Sequence, residues 1–139
     1  MENNAIKVVL DTNIIISGII FSGKPRQIIQ LVQENKITAI TTPILIAELL
    51  DILVKKFQFV LPKINLVQEL IKENFTIVYP TETIHTVRDE DDNRVIEAAV
   101  KGSCSFIVTG DEDLLTLKNY NTISILNSNH FLSMMERLN

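Results

Sequence analysis

Residues 6–17, IKVVLDTNIIIS, decide the fold class. Ile6 to Leu10 is a short β-branched run of the kind that forms a strand buried on both faces, and it stops at an acid, Asp11. Asp11 or Thr12 then caps a helix that ends near Gly18 or Gly23. A doubly buried strand that hands over at once to a helix opens a parallel α/β unit.

The rest of the chain repeats that alternation. Pro25 opens a helix over PRQIIQLVQEN, with Ile28, Ile29, Leu31 and Val32 on its apolar side. Ile37–Thr41 reads as strand two, and Pro43 starts an apolar helix through Phe57. Pro62 starts another through Glu73, and Phe75–Tyr79 is strand three. A polar stretch leads to the acidic run Arg88 to Asp92. A helix follows from Asp92 to Lys101, with Gly102 as its stop. Ser105–Val108 is strand four, closed by Thr109-Gly110-Asp111 and a short helix through Leu117. Thr122–Leu126 is strand five, and an amphipathic helix from Asn129 carries Phe131, Leu132, Met135 and Leu138. The expectation is one α/β domain over residues 1–139, with five parallel strands joined by right-handed crossovers and covered on both faces.

Composition agrees with a single ordered core: of 139 residues 46% are hydrophobic and 22% charged, and four Gly and four Pro leave little for a linker. The one cysteine, Cys104, excludes an internal disulfide, reads as core packing, and suits a reducing compartment. No Cys/His cluster has zinc spacing, no signal-peptide pattern opens the chain, and no apolar run reaches membrane-span length, so a cytoplasmic protein is expected. A net charge of −4 argues against a protein that coats nucleic acid through many basic contacts. It leaves room for an acidic reaction centre with a separate basic rim.

In parallel sheets, sites form beyond the C-terminal strand ends, where strand order reverses. Asp11 follows strand one and Asp111 follows strand four. Asp92 begins the helix leading into strand four, so three carboxylates converge on one sheet edge. Each has a plainer reading as a helix cap. Glu48, one turn into the helix after strand two, falls with Asp51 and Lys55 on a polar face that reads locally as a solvent stripe. Carboxylates a few ångströms apart repel by about 4 kcal/mol per pair at an effective dielectric near 20, a penalty that a divalent cation removes. All-oxygen ligands favour Mg²⁺ or Mn²⁺ over zinc, and phosphodiester hydrolysis is the natural reaction of such a centre.

Four stretches in order, VVLDTNIIIS, the acid within ILIAELLDIL, DDNRVIEAAVKG and FIVTGDEDLL, resemble the PIN-domain nucleases over nearly the whole chain. The resemblance implies a three-layer α/β/α sandwich, Mg²⁺- or Mn²⁺-dependent cleavage of RNA, and often a homodimer. It matches Asp11, Glu48, Asp92 and Asp111 to the family's four acids, and so makes a ligand of Glu48. Asp92 is preferred to Asp91 or Asp89 because it sets Val95, Ala99 and Gly102 where the family has an apolar residue, alanine and glycine. Thr12, Asn13 and Thr109 match positions that orient the acids, and Asp113 is a weaker metal contact or a helix-dipole residue. The second motif is most similar to toxins of toxin-antitoxin pairs, which implies a cognate antitoxin.

Lys24, Arg26, Arg88 and Arg94 are candidates for a phosphate-binding rim, against a plainer reading as surface charges. His85 and His130 lie outside the motifs. The alternative from another class is a module that keeps the fold as an inactive binding or regulatory unit. A receiver domain is disfavoured because Pro80-Thr81 follows strand three and Asn127-Ser128 follows strand five. A phosphatase is disfavoured by Asn13 in place of a second Asp, and a nucleotide-binding domain by the lack of a glycine-rich phosphate loop.

Overall fold

A computed structural model describes residues 6–138; residues 1–5 and 139, which the single-domain expectation included, lie outside the described residues. The chain runs β1 (Ile6–Leu10), α1 (Thr12–Ile20), α2 (Lys24–Gln33), β2 (Ile37–Thr41), α3 (Pro43–Phe57), α4 (Leu61–Asn74) and β3 (Phe75–Ile77). It continues through α5 (Glu90–Lys101), β4 (Phe106–Val108), α6 (Glu112–Leu117), β5 (Asn119–Tyr120), β6 (Ile123–Leu126) and α7 (Ser128–Leu138).

Six strands form one sheet in the order β3-β2-β1-β4-β6-β5. The first three build outward from β1 in one direction and the rest build in the other, so strand order reverses between β1 and β4. All pairings are parallel except β5 with β6. That antiparallel edge corrects the five-stranded parallel expectation. Asn119 and Tyr120 are too short and polar a pair to read as a strand, yet left-handed backbone at Lys118 (φ 68°) and Asn121 (φ 54°) turns them back along β6. At the other edge, β3 ends at Ile77 rather than at Tyr79.

The pleat of β1 sorts the core into two halves. Val8 and Leu10, with Ile37, Ala39, Phe75 and Val108, pack under α1, α2, α3, α4 and α7. Val9, with Ile40, Ile107, Ile123 and Ile125, packs under α5 and α6. Val8, Val9 and Ile107 are fully buried, and burying each such side chain contributes roughly 1.5–3 kcal/mol. The layers are therefore helix, sheet, helix, with both faces of the sheet covered.

Two helix boundaries matter for the site. The helix α5 begins at Glu90, with Asp89 as its cap accepting a bond from the Asp91 amide at 2.9 Å, so Asp92 is its third residue and not its first. The helix α1 continues through Gly18 to Ile20 because Gly18 is a contact residue, not a terminator: a Cβ there would lie 2.7 Å from Ile29 Cγ1 on α2.

Candidate acidic metal centre

Beyond the C-terminal ends of β1 and β4 lies a cleft of about 130 Å³ lined by Asp11, Thr12, Asn13, Glu48, Ile52, Asp89, Asp91, Asp92 and Asp111. The topology dictates its position. The Asp11 amide donates to Val108 O (2.9 Å), and the Thr109 amide to Leu126 O (3.0 Å), so sheet bonding continues past the strands and fixes both loops at one rim.

Thr109, with no exposed surface, joins the two loops. Its hydroxyl donates to Asp11 Oδ2 at 2.6 Å and accepts from the Asp111 amide at 3.0 Å. Asp111 also caps α6, accepting at Oδ1 from the Asp113 and Leu114 amides. Capping therefore leaves Asp111 in the cleft, while Asp11 stands at the cap position of α1 without making a side-chain cap bond. Across the cleft, the Thr12 hydroxyl donates to Glu48 Oε1 at 2.7 Å. Asp51 instead forms an exposed pair with Lys55, so the polar face of α3 divides, with Glu48 turned inward.

The acidic run on α5 also divides. Asp92 is buried beside Asp111, whereas Asp91 lies beside Glu48. Single oxygens of Asp92, Asp111 and Asp113 lie within 4.8 Å of one another. Asp11 and Glu48 line the same cleft outside that tightest group.

Burial, and after it the neighbouring Asp111 carboxylate, push the Asp92 carboxyl up to about 7. Burial raises Asp11 as well, against the Thr109 bond that lowers it. Glu48 is raised by burial, then by the neighbouring charge of Asp91, while its Thr12 bond lowers it. All three shifts say that the metal-free cleft resists holding its full negative charge. Asp92 Oδ2 is buried with no hydrogen-bond partner, a costly state for a carboxylate unless a cation meets it. An oxygen-only donor set with an orphaned buried oxygen fits a hard divalent ion.

The basic residues separate by what they touch. Arg26 donates to Gly18 O and Ile19 O at the end of α1. Arg94 bonds Ile84 O, Glu90 and Glu97 beside α5. These contacts are structural, and none of the residues bonded lines the cleft. Lys24 is exposed at the start of α2. Arg88 alone of the four reaches the acids, with Nη2 at 3.4 Å from Asp113 Oδ2. His85 pairs with Glu90, and the His130 amide bonds the Asn127 side chain. Cys104 is buried, and desolvation pushes its thiol up to about 12.

Sequence reasoning missed Asn93 and Glu97. Both are buried polar residues of α5 that bond the backbone of the segment before it, Asn93 to Thr86 and Val87 and Glu97 to Ile84. Their signal was a polar residue on the inner face of an amphipathic helix, one and five positions after Asp92.

Comparison with known proteins agrees with this construction. An uncharacterized protein of Methanocaldococcus jannaschii is 35% identical over 135 residues, covering 94% of this chain and 86% of its own. The family model described as PIN domain matches residues 7–113, which take in β1, the acidic helix α5 and the loop after β4. On the match of fold, motif order and acidic cleft, the chain belongs to the PIN domain family.

Proposed function

We propose that this protein is a Mg²⁺- or Mn²⁺-dependent endoribonuclease. PIN domains are generally metal-dependent nucleases, and the observation that carries the reading here is the orphaned Asp92 oxygen within a cleft where six of nine lining residues are carboxylates. In this reading Asp11, Asp92 and Asp111 hold the ion, Glu48 acts from the same cleft lining, and Asp113, whose oxygen lies near those of Asp92 and Asp111, is a further, weaker contact. Such an ion, when bound, would offset phosphate charge and lower the pKa of a water so that, on losing a proton, it becomes a nucleophile for phosphorus.

The chain's own groups do the rest. Thr109 fixes the Asp11 carboxylate toward the cleft, Thr12 fixes Glu48, and Asn13 lines the mouth. Glu48 and Asp91 stand side by side in the cleft lining, and a free carboxylate of the pair accepts the proton released by the attacking water. No histidine enters the cleft lining, so carboxylates do the proton transfer.

The second motif's likeness to toxins supports a role as the toxin of a toxin-antitoxin pair acting on cytoplasmic RNA. Exposed Val54, Phe57, Val60, Leu61 and Leu66 around the α3–α4 junction supply apolar surface for a homodimer or an antitoxin. The acids present at every motif weigh against the inactive binding module. The test is cleavage of a single-stranded RNA with Mn²⁺ or with chelator: wild-type protein cuts only with metal, and a folded Asp11→Asn variant does not cut. Undiminished cutting by that variant would refute the assignment.

A further inference from the structure

Resting on the nuclease reading, we infer that Arg88 is the substrate-phosphate ligand beside the acidic cleft, held in readiness by Asp113 and aimed by Asn93. The segment before α5 is tied to that helix at three successive points. The Ile84 amide donates to Glu97 Oε2 (2.8 Å), and the Thr86 and Val87 amides both donate to Asn93 Oδ1 (3.0 and 2.9 Å). Asn93 Nδ2 in turn donates to Val87 O (2.8 Å). Asn93 has no exposed surface and directly follows Asp92, so the backbone carrying Arg88 is registered to the same helix that carries the buried acid. Asp89, the next residue after Arg88, closes the arrangement as the α5 cap.

The Arg88 side chain itself is 88% exposed, and its contact with the 43% exposed Asp113 is a long one at 3.4 Å. Exposed ion pairs of this kind contribute little, so exchanging the carboxylate for an RNA phosphate is cheap. A guanidinium presents a planar fork that suits a phosphate, and Arg88 directly precedes Asp89, a residue of the cleft lining. Arg94 lacks that freedom: its side chain is 22% exposed and tied to Glu97 at 2.8 Å. Asp113 therefore does two things, keeping a cation beside a cleft of like-charged acids and releasing it when a more strongly negative partner arrives.

The experiment measures equilibrium binding of a fluorescent single-stranded RNA, with Ca²⁺ replacing Mn²⁺ to prevent cutting, and in parallel kcat and KM with Mn²⁺. Arg88→Ala is expected to weaken binding and raise KM by roughly ten-fold or more, the loss of a charge-assisted bond. The salt dependence of binding should fall by about 0.7 in log–log slope, one phosphate's share for a single strand. Mn²⁺ affinity should not change, and Arg88→Lys should restore part of the binding. Asn93→Ala, checked for folding by circular dichroism, should reproduce the loss, and the double variant should be no worse than either alone. Unchanged binding and slope in Arg88→Ala, or additive losses in the double variant, would overturn the inference. If wild-type protein cuts no RNA, the nuclease reading fails while the binding measurements still decide the role of Arg88.

Discussion

Asp92 shows most sharply what the cleft asks of its residues. Its carboxyl moves from an ordinary value of 3.8 to about 7, so the folded, metal-free protein keeps a proton that the unfolded chain has released. A raised folded pKa means that the group's stabilisation is complete below about 4 and is lost as pH rises through about 7. Asp11 and Glu48 shift in the same direction. With chelator present, the thermal midpoint should fall as pH rises across that window, and saturating Mn²⁺ should abolish the fall; a flat chelated profile would contradict the shifts. Thr109 gives a second prediction. Thr109→Val removes the 2.6 Å bond to Asp11 and should weaken Mn²⁺ binding by about 10–100-fold, as loss of a ligand-orienting partner does, with calorimetry as the check. At this scale the sequence disclosed Asp11 and Asp111 through their places after strands. It disclosed Glu48 only through family likeness, because a helix face shared with Asp51 and Lys55 carries no sign of the Thr12 bond that draws it inward. Asn93 and Arg88 were opaque in their pairing, since a loop's anchor points are long-range bonds with no local pattern.

The elements place these residues by close approach. The helices α1 and α2 meet at Gly18, where a Cβ would sit 2.7 Å from Ile29 Cγ1 and 3.1 Å from Pro25 O. Helix propensity alone makes Gly18→Ala favourable by about 1 kcal/mol. Overpacking against a buried isoleucine and a backbone oxygen costs about 1–3 kcal/mol, so the variant should be net destabilised, with a lower urea midpoint at an unchanged slope. An unchanged or higher midpoint would show that α2 yields easily. Gly102 has a related role: a Cβ there would lie 2.7 Å from Ile40 Cγ2, and the left-handed residue that ends α5 is Ser103 (φ 54°). Sequence reading found the strands and helices that form the core because apolar runs and prolines mark them. It placed the start of α5 two residues late, because any acid of the run Asp89 to Asp92 can cap and only the Asp91 amide bond to Asp89 chooses among them. The edge strand β5 escaped notice for the opposite reason, as an exposed Asn119 and a half-buried Tyr120 paired by a turn are too short to carry an alternating signal.

At the scale of the molecule, one topological fact organises the chemistry. The chain winds outward from β1 in both directions, and acids from four separate segments meet where the two halves part. The helices cover both faces of the sheet, so its C-terminal edge is where the loops leave room for a substrate. The apolar residues around the α3–α4 junction predict self-association: sedimentation should report a dimer, and Leu61→Glu with Leu66→Glu should yield a monomer that still binds metal, since neither residue lines the cleft. A wild-type monomer at high concentration would contradict that prediction. Whether the acids form a divalent-metal centre is decided by anomalous diffraction from crystals soaked in Mn²⁺: a peak is expected within ligand distance of Asp11, Asp92 and Asp111, and a cleft without a peak at saturating Mn²⁺ would contradict the metal centre.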